Sequence, residues 1–270
     1  MTASRATVVV PVWDEYVAEL LPQAIASIRE QDPRPDIIVV DNASAVSIAD
    51  PAGATVVRAP RRLRLGEARN LGLARVNTPY VVFWDADDVM LAGTLAFLEG
   101  KIASAPGVAA FAAAIIEDPS GKRHRHPRRW AARLMRSPRL FALLHCVWSM
   151  YPTTGATIID TELARAAGGF ADADSGEDWC LGVSLAFRGR IAFAERPGRL
   201  YRVHEHSMWA RHMSPRHQLR HARQVRDRIR MDRAIRGWAR ALRPLIALGQ
   251  WLAILTHTAL EAVRGARKSC

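Results

Sequence analysis

The stretch 80-YVVFWDADDVM-90 carries five apolar or aromatic residues directly into three carboxylates, Asp85, Asp87 and Asp88. An apolar run of this length, bounded by polar residues, is typical of a buried strand. Carboxylates at the end of such a strand need a cation or hydrogen-bond donors close by, because an unpaired buried charge costs free energy. The fold around this strand must therefore supply a positively charged or donor-rich partner.

The sequence on either side of this strand alternates between strand and helix patterns. Apolar runs predict further strands in the first half over 7–12, 36–40 and 54–58. Apolar residues at helical spacing predict helices over 17–30, 66–76 and 93–103. The alternation predicts an α/β fold with a mostly parallel central sheet covered by helices on both faces.

The second half continues this pattern less regularly and ends in helices. Strands are predicted over 108–116, 153–160 and 190–194, and helices over 161–170 and 175–189. From residue 215 onward, an apolar stripe between Leu219 and Leu252 with flanking arginines predicts a helical extension, and Pro244 suits the start of its second helix. We therefore divide the chain into 1–214, with halves 1–118 and 119–214, and basic amphipathic helices over 215–270.

The composition is that of a folded and strongly basic protein. Hydrophobic residues make up 49% of the 270, which allows a sizeable core and argues against global disorder. The net charge is +12, and arginines cluster in 122–139 and 216–243, whereas 1–118 is far less basic. Such a charge favours a polyanionic neighbour: nucleic acid, an anionic membrane or a phosphorylated substrate.

Two further features bear on the compartment. The N-terminal residues lack a long apolar segment behind a basic one, so we expect no signal peptide and a cytoplasmic protein. Cys146, Cys180 and Cys270 form no CxxC pair, which favours reduced, structural thiols over redox or zinc roles.

Polar residues follow three of the predicted strands. Pro11, Trp13, Asp14 and Glu15 end the first strand or follow it, Asp41, Asn42 and Ser44 follow the second, and the three acids follow 80–84. Because parallel α/β sheets bind ligands at the carboxyl ends of their strands, these groups are expected at one shared edge.

The spacing Asp85-Ala86-Asp87 adds a specific chemistry to that edge. Two carboxylates spaced in this way can hold one hard divalent cation, Mn²⁺ or Mg²⁺, and leave positions open for phosphate oxygens. Such a cation neutralises the charge that builds on a departing diphosphate.

Six separated motifs then occur in a recognisable order: VVVPVWDE, VVDNAS, GEARNLGL, FWDADD, GGF followed by GEDW, and YRVH. This order resembles the inverting family 2 glycosyltransferases of GT-A fold, a Rossmann-like architecture, over about residues 7–207. The second motif reads DNAS where DDGS is commoner, and no QxxRW follows the GEDW motif. Together with the lack of a long apolar span, this favours transfer of one sugar per event over processive synthesis.

The resemblance implies roles for matching residues. Asp85 and Asp87 would hold the metal and, through it, the nucleoside diphosphate, and His204 would approach the metal. The remaining donor-binding positions implied are Pro11, Trp13, Glu15, Asp41, Asn42, Arg69 and Ala86. Asp88 is either a third acid of the motif or a helix N-cap, and Asn70 braces a loop.

Glu177 and Asp178 resemble the ED motif of the family, which implies that Asp178 is the general base on the acceptor hydroxyl. A positioned carboxylate is a suitable base, because an alcohol attacks poorly until its proton is removed. The alternative is that both acids only complement a helix N-terminus. The family also implies a UDP-sugar by default, with dTDP- and GDP-sugars as alternatives.

The second half of the sequence carries the features that bear on the acceptor and on the cellular location. The basic segment 122–139 and the aromatic stretch 141–151 are predicted to form an acceptor loop, with arginines that grip a phosphorylated or lipid-linked acceptor. The C-terminal helices are expected either to pack on the domain or to lie on an anionic membrane surface, at the inner face of the membrane.

Three rival interpretations follow from the same residues. A nucleic-acid-binding protein would explain the charge, but no RRM, zinc-finger or helix-turn-helix pattern is present and the basic residues avoid the polar strand ends, so no nucleic-acid partner is expected. A nucleotidyltransferase would need a Gly-rich phosphate loop after the first strand, which VVVPVWDEY lacks. A non-catalytic relative acting as a partner protein is the third.

Overall fold

The structure, a computed structural model, describes residues 4–46, 48, 53–118, 120–125, 133–134, 137–202, 214–235 and 237–268. Within these residues nine strands form one sheet: β1 Ala6–Val12, β2 Asp36–Asp41, β3 Thr55–Arg58, β4 Tyr80–Phe83, β5 Val89–Met90, β6 Val108–Glu117, β7 Arg123–Arg125, β8 Thr157–Asp160 and β9 Arg190–Leu200. The helices are α1 Asp14–Val17, α2 Leu20–Arg29, α3 Leu65–Leu73, α4 Thr94–Ala103, α5 Pro138–Val147, α6 Thr161–Ala166, α7 Glu177–Arg188, α8 Pro215–Met231, α9 Gly237–Ala241 and α10 Arg243–Lys268.

The first half of the sheet is parallel, as the alternation of strands and helices predicts. The order is β3-β2-β1-β4, and every neighbouring pair in it runs parallel. The carboxyl ends of β1, β2 and β4 therefore lie at one side of the sheet, which we call the polar edge.

The second half of the sheet is mixed, so the prediction of a mostly parallel sheet is wrong there. The order continues β8-β6-β9-β5, with β7 beside β6. Only β6 and β9 pair in parallel, whereas β4–β8, β8–β6, β9–β5 and β6–β7 are antiparallel. The α/β class with helices on both faces is confirmed.

Alternating residues of the strands build a core on each face of the sheet. Val8 and Val10 of β1 pack on one face with residues of α2 and α4. Val9 packs on the other face with residues of α3, α5, α6 and α7. Because both faces are covered, the strands read as continuous apolar runs rather than alternating ones.

The C-terminal helices pack against the sheet domain through a third apolar cluster. Val225 and Ile229 of α8 and Ile246 of α10 lie in it with Trp179 and Cys180 of α7. Arg188 of α7 also donates two hydrogen bonds, of 2.6 and 2.8 Å, to the Asp232 carboxylate after α8. No helix in the described ranges is both long enough and apolar enough to cross a bilayer.

Several element boundaries differ from the predictions. The helix predicted over 17–30 is α2, which begins only at Leu20, and the short helix α1 before it was not predicted. The strand predicted over 153–160 begins only at Thr157. The strand predicted over 190–194 continues to Leu200, because β9 pairs with β6 along its length and with β5 at its end.

The aromatic stretch 141–151 is mainly a core helix, so the expectation of an acceptor loop there is wrong. Phe141, His145 and Cys146 of α5 are buried, and the helix begins at Pro138, a favourable first residue. Most of 122–136, including the basic run before α5, lies outside the described residues. Cys146 and Cys180 are buried free thiols, and burial raises the pKa of each to about 12. A buried thiol with a raised pKa is unreactive, which agrees with a structural role.

Candidate active site

The polar edge brings together residues that are far apart in sequence. The backbone N–H of Asn42 donates to the Val12 carbonyl, and the backbone N–H of Trp84 donates to the Val9 carbonyl, both at 2.9 Å. These bonds place the segments that follow β2 and β4 on either side of the segment that follows β1. The expected convergence of three strand ends is therefore present in the structure.

Arg69 of α3 joins the strand-end acids to the ED motif. Its Nη2 donates to Asp85 Oδ1 at 2.7 Å, and its Nη1 donates to Glu177 Oε1 in a short ion pair. The Arg69 side chain is only 4% exposed, so Arg69 is a buried arginine and not a residue of the helix surface. Burial alone would lower the pKa of Arg69, but Glu177, Asp85 and Asp178 outweigh burial and raise it, so the guanidinium stays charged.

A second arginine, Arg199 of β9, meets the same acids from the other side. Its Nη1 lies 2.8 Å from Asp88 Oδ2 and 3.3 Å from Asp85 Oδ2. Asp88 is fully buried, and burial raises its pKa to about 8 although Arg199 opposes the rise. Asp88 does not cap a helix, since the residue before α4 is Gly93, so the N-cap alternative is wrong.

Two guanidinium groups are therefore the cationic partners that the sequence demands. Asp85 receives one on each carboxylate oxygen, from Arg69 and from Arg199. Gly155 makes room for the second: a Cβ on it would lie 2.5 Å from Arg199 Nη1, and its φ of +75° suits only glycine well.

The ED motif opens α7 directly beside this network. Gly176, in the left-handed conformation, precedes the helix, and Glu177 and Asp178 form its first turn. Burial raises the pKa of Glu177 to about 7 against the opposing effect of Arg69, and burial also raises the pKa of Asp178. Asp178 Oδ1 accepts from the Trp179 amide at 2.8 Å. Glu177 thus binds Arg69 and does more than complement a helix N-terminus, whereas Asp178 binds a backbone amide of the first turn and Arg69 only opposes the rise in its pKa.

The other predicted donor-binding residues lie around β1 and β2. Asp41 is buried, accepts from the Ser44 amide at 2.9 Å and pairs with Arg58. Asn42 uses both polar groups on the Leu63 backbone, accepting at 2.7 Å and donating at 2.9 Å, and so orders the loop before α3.

Pro11 lies inside β1, and Ala86 is buried in the loop between Asp85 and Asp87. Trp13 is partly exposed and carries Arg62 over its ring, 5.2 Å from the centroid. The backbone of Glu15 belongs to α1, but its side chain lies outside the described side chains, and His204 lies outside the described residues altogether.

The expectation that basic residues avoid the polar strand ends is wrong for one segment. The loop between β3 and α3 carries exposed arginines at 61, 62 and 64, and Arg58 closes β3 beside Asp41. In the sequence these arginines appear only as the run APRRLR between two regular elements, and no motif links this run to the strand ends. These arginines give the polar edge a cationic rim that suits an anionic ligand.

The loop before α7 is held by two neighbouring elements. Asn70 of α3 exchanges hydrogen bonds with Phe170, accepting from its amide at 2.8 Å and donating to its carbonyl at 3.0 Å. Arg228 of α8 donates to the Ala167 and Gly169 carbonyls at 2.7 and 3.1 Å. The predicted bracing role of Asn70 agrees with these contacts.

His221 of α8 contacts the same loop at its far end. Its Nε2 lies 2.8 Å from Ser175 Oγ, and its ring packs on Gly176, where a Cβ would lie 2.7 Å from the ring. Neither His221 nor Arg199 was found from the sequence, because a lone histidine in a basic helix and a lone arginine in a strand carry no local signal.

The acids at the polar edge fit a shared cation rather than one that the protein holds alone. No group of three or more His, Cys, Asp or Glu side chains in the described part of the chain is arranged to hold a metal ion. Mg²⁺, however, is commonly bound through one or two carboxylates together with substrate phosphates. Asp85, whose side chain is 29% exposed, and the half-buried Asp87 meet that requirement.

The model of the family described as Glycosyl transferase family 2 matches residues 7–159, more than half of the chain. The chain belongs to this family. The match includes the strand ends of the polar edge and Arg69, and stops before the ED motif.

Solved structures of glycosyltransferases share the fold, which confirms the expected GT-A architecture. S. aureus TarS 1-349 in complex with UDP-GlcNAc has a TM-score of 0.63 at 17% identity, over 83% of this chain and 66% of that one. The mannosyltransferase PcManGT from Pyrobaculum calidifontis, in complex with GDP-Man and Mn²⁺, has a TM-score of 0.61 at 20% identity, over 100% and 82%.

A third structure is glucosyl-3-phosphoglycerate synthase from Mycobacterium tuberculosis with Mn²⁺, UDP and phosphoglyceric acid. Its TM-score is 0.53 at 22% identity, over 83% of this chain and 76% of that one. The chain described here spans just under two thirds of the length of the TarS 1-349 chain. No curated protein matches it.

Proposed function

We propose that this family member is an inverting glycosyltransferase that moves one sugar from a nucleoside-diphosphate sugar to an acceptor hydroxyl. One observation carries the proposal: Arg69 binds both Asp85 of the DxD motif and Glu177 of the ED motif. A single buried side chain therefore joins the acids expected for the donor to the acids expected for the acceptor. Residues 1–118 would bind the donor, and 119–214 would complete the acceptor side.

The donor would lie along the polar edge. Asp41, Pro11 and Trp13 would contact the base and ribose, and the cationic rim beside them would attract the diphosphate. The structural neighbours were solved with UDP-GlcNAc, with GDP-Man and with UDP, which supports a nucleotide-sugar. UDP is the default, and dTDP and GDP remain alternatives.

Asp85 and Asp87 would hold Mn²⁺ or Mg²⁺, with His204 as a third candidate ligand. When bound, the cation would neutralise negative charge on the diphosphate leaving group. PcManGT and the mycobacterial synthase were solved with Mn²⁺, which supports a divalent cation. Arg69 and Arg199 hold Asp85 in place, since each binds one of its oxygens.

Asp178 would remove the proton from the acceptor hydroxyl. Its side chain is half-buried, so a ligand can reach it, and burial raises its pKa in the direction that makes a carboxylate a stronger base. A base opposite the departing diphosphate implies in-line displacement, and therefore inversion at the anomeric carbon.

Glu177 would bind a hydroxyl of the ligand with one carboxylate oxygen while the other oxygen binds Arg69. Its Oε1 binds Arg69, whereas Oε2 is buried and, within the described residues, has no hydrogen-bond partner. A buried carboxyl oxygen without a partner is costly, so a ligand that fills this place is favoured. We further propose a phosphorylated or lipid-linked acceptor and a location at the inner face of a membrane, which the arginine clusters in 122–139 and 216–243 support.

The first test is a thermal-shift panel of UDP, dTDP, GDP, ADP and their sugars, each with Mn²⁺ and with EDTA. A ligand that binds only the folded state raises the unfolding midpoint by mass action. Stabilisation by one nucleotide family, and only with metal, is expected. Absence of a shift with every nucleotide would contradict the donor proposal.

Two variants then separate the roles of the acids. Asp178→Asn should bind the donor as the wild type does but transfer sugar poorly, whereas Asp172→Asn, an exposed control in the same loop, should transfer normally. Asp87→Ala should lose metal-dependent donor binding, and Asp36→Ala, at the opposite end of β2, should keep it. Normal transfer by Asp178→Asn would remove it from the role of base.

The remaining alternatives have distinct outcomes. A nucleic-acid-binding protein would keep its function in Asp85→Ala, since that change leaves the basic helices intact. A non-catalytic partner protein would bind nucleotide without transferring sugar to any acceptor, and the same Asp85→Ala would then change only binding.

A further inference from the structure

We infer that the C-terminal helices form a surface that docks on an anionic membrane. This inference deepens the location given under the proposed function, but it rests on different residues from the transfer chemistry. The surface consists of the exposed leucine row of α10, which is Leu245, Leu248, Leu252 and Leu255, and the exposed arginine row of α8, which is Arg216, Arg220, Arg223 and Arg230.

The leucine row is the outer face of an amphipathic helix. Ile246, Gln250 and Ile254 form the inner face, at 4%, 1% and 6% exposure. The leucines at 245, 248, 252 and 255 are 63%, 54%, 52% and 46% exposed. The spacing of three and four residues places them in one row about 15 Å long at 1.5 Å per residue.

The arginine row lies on α8, the helix that packs against α10. Arg216, Arg220, Arg223 and Arg230 are exposed on the side of α8 away from its buried residues Val225 and Ile229. A groove of about 360 Å³ lies between α8 and α10, lined by Leu219 and Arg226 from one helix and Leu248 and Trp251 from the other.

The charge of this segment selects among the possible partners. Residues 215–270 hold thirteen Lys or Arg and three Asp or Glu, so most of the net charge of +12 is here. A second copy of the chain would bring one arginine row against another, which like-charge repulsion disfavours. Nucleic acid would satisfy the arginines but leave the leucines and Trp251 in water. An anionic bilayer surface accommodates both rows, because it offers negative headgroups above an apolar layer.

The test is co-sedimentation of the full chain with vesicles of phosphatidylcholine alone and of phosphatidylcholine mixed with phosphatidylglycerol, at low and high salt. Wild type should bind the anionic vesicles, and bind them less at high salt. Leu248→Gln with Leu252→Gln should weaken binding about tenfold or more, since two half-exposed leucines no longer enter the apolar layer. Arg220→Gln with Arg223→Gln should weaken it about fivefold for each arginine.

Control variants carry changes of the same kind elsewhere. Val46→Gln alters a side chain that is 65% exposed, and Arg34→Gln with Arg75→Gln removes two exposed charges from the sheet domain. Both should bind vesicles as the wild type does. Equal vesicle binding by the wild type and the leucine pair would overturn the inference, as would a dimer that the leucine pair dissociates. Sugar transfer in detergent-free buffer is measured separately, so that loss of docking is distinguished from loss of chemistry.

We also propose, from a different observation, that His221 is a positioning residue for the ED motif. This second proposal rests on the proposed function. His221 binds Ser175 Oγ at 2.8 Å and packs on Gly176, the residue directly before Glu177. Gly176 has a φ of +75°, which glycine adopts without strain, so the packing of the His221 ring and its bond to Ser175 fix the turn that starts α7 and carries Asp178.

The test compares His221→Ala, Ser175→Ala and a control, His217→Ala, one turn earlier on α8. The first two should lower kcat about ten- to hundredfold with the KM for the donor unchanged, as expected when a catalytic group is misplaced. His221→Gln should restore part of kcat, because it keeps a side-chain hydrogen bond to Ser175. Wild-type kcat in His221→Ala and Ser175→Ala would overturn the proposal, whereas an inactive wild type would contradict the proposed function instead.

Discussion

Replacement of Arg69 by methionine should destabilise the protein by about 3–5 kcal/mol, the usual cost of removing one partner from a buried ion pair. Arg69 is 4% exposed, and so is the Glu177 carboxyl that would be left without its cation. Asp85 is better placed, since its side chain is 29% exposed and Arg199 still binds it. The loss is therefore expected to come mainly from Glu177.

The assay is equilibrium urea unfolding followed by tryptophan fluorescence, with the free energy of unfolding taken from the midpoint and slope. Arg61→Met is the matched control. Arg61 pairs with Glu67 at 3.2 Å, but the two side chains are 67% and 29% exposed, so its loss should cost at most about 1 kcal/mol. At a pH above about 7, adding Glu177→Gln to Arg69→Met should recover part of the loss, because the buried Glu177 carboxyl would otherwise carry an unpaired charge or have to take up a proton.

Arg69→Lys tests the geometry separately from the charge. Lysine keeps a cation but lacks the planar fork that reaches Asp85 and Glu177 from two nitrogens. We expect an intermediate loss of stability. An Arg69→Met variant within about 1 kcal/mol of wild type would refute the reasoning, because the central arginine would then contribute no more than a surface ion pair.

Two further predictions concern neighbouring positions. Gly155→Ala should destabilise the protein more than Gly107→Ala does in urea unfolding. Both glycines have φ near +75°, but only at Gly155 would an added Cβ press against Arg199. Equal losses of stability would mean that the backbone conformation alone, and not the contact with Arg199, causes the destabilisation. Wild type should lose stability relative to Glu177→Gln as pH rises from about 4.5 to about 7, because burial raises the pKa of Glu177 to about 7, so that between these values only the folded state holds the proton. A difference in the free energy of unfolding that stays constant with pH would contradict this.

Much of the donor side could be predicted from the sequence because its signals are local. The apolar runs that end in polar residues predicted β1, β2 and β4 and their shared edge. Asp85 and Arg69 lie within motifs of fixed spacing, and the structure brings them within hydrogen-bond distance. A continuous apolar run indicates a strand that is buried on both faces, so this burial can be predicted without knowledge of the tertiary contacts.

The rest of the site depends on contacts between distant residues. Arg199 reaches Asp85 across 114 positions, and only the pairing of β9 with β6 and β5 sets its place. The helix over 138–147 was missed because Pro138 and the aromatic residues suggested a loop, whereas packing of Phe141 and Cys146 against the core decided for a helix. The apolar stripe from Leu219 to Leu252 mixed buried and exposed residues, since it spans three helices.

Helix α8 separates the ED loop from the arginine row by its own width. His221 contacts the loop on one side, and Arg223 and Arg230 face solvent on the other. A helix with its side chains is about 10–12 Å across. With the arginine row at the lipid headgroups, the loop that carries Asp178 would stand at about that height above the bilayer. The helix would then act as a spacer that selects acceptors by reach, favouring a hydroxyl raised above the headgroups over one at their level.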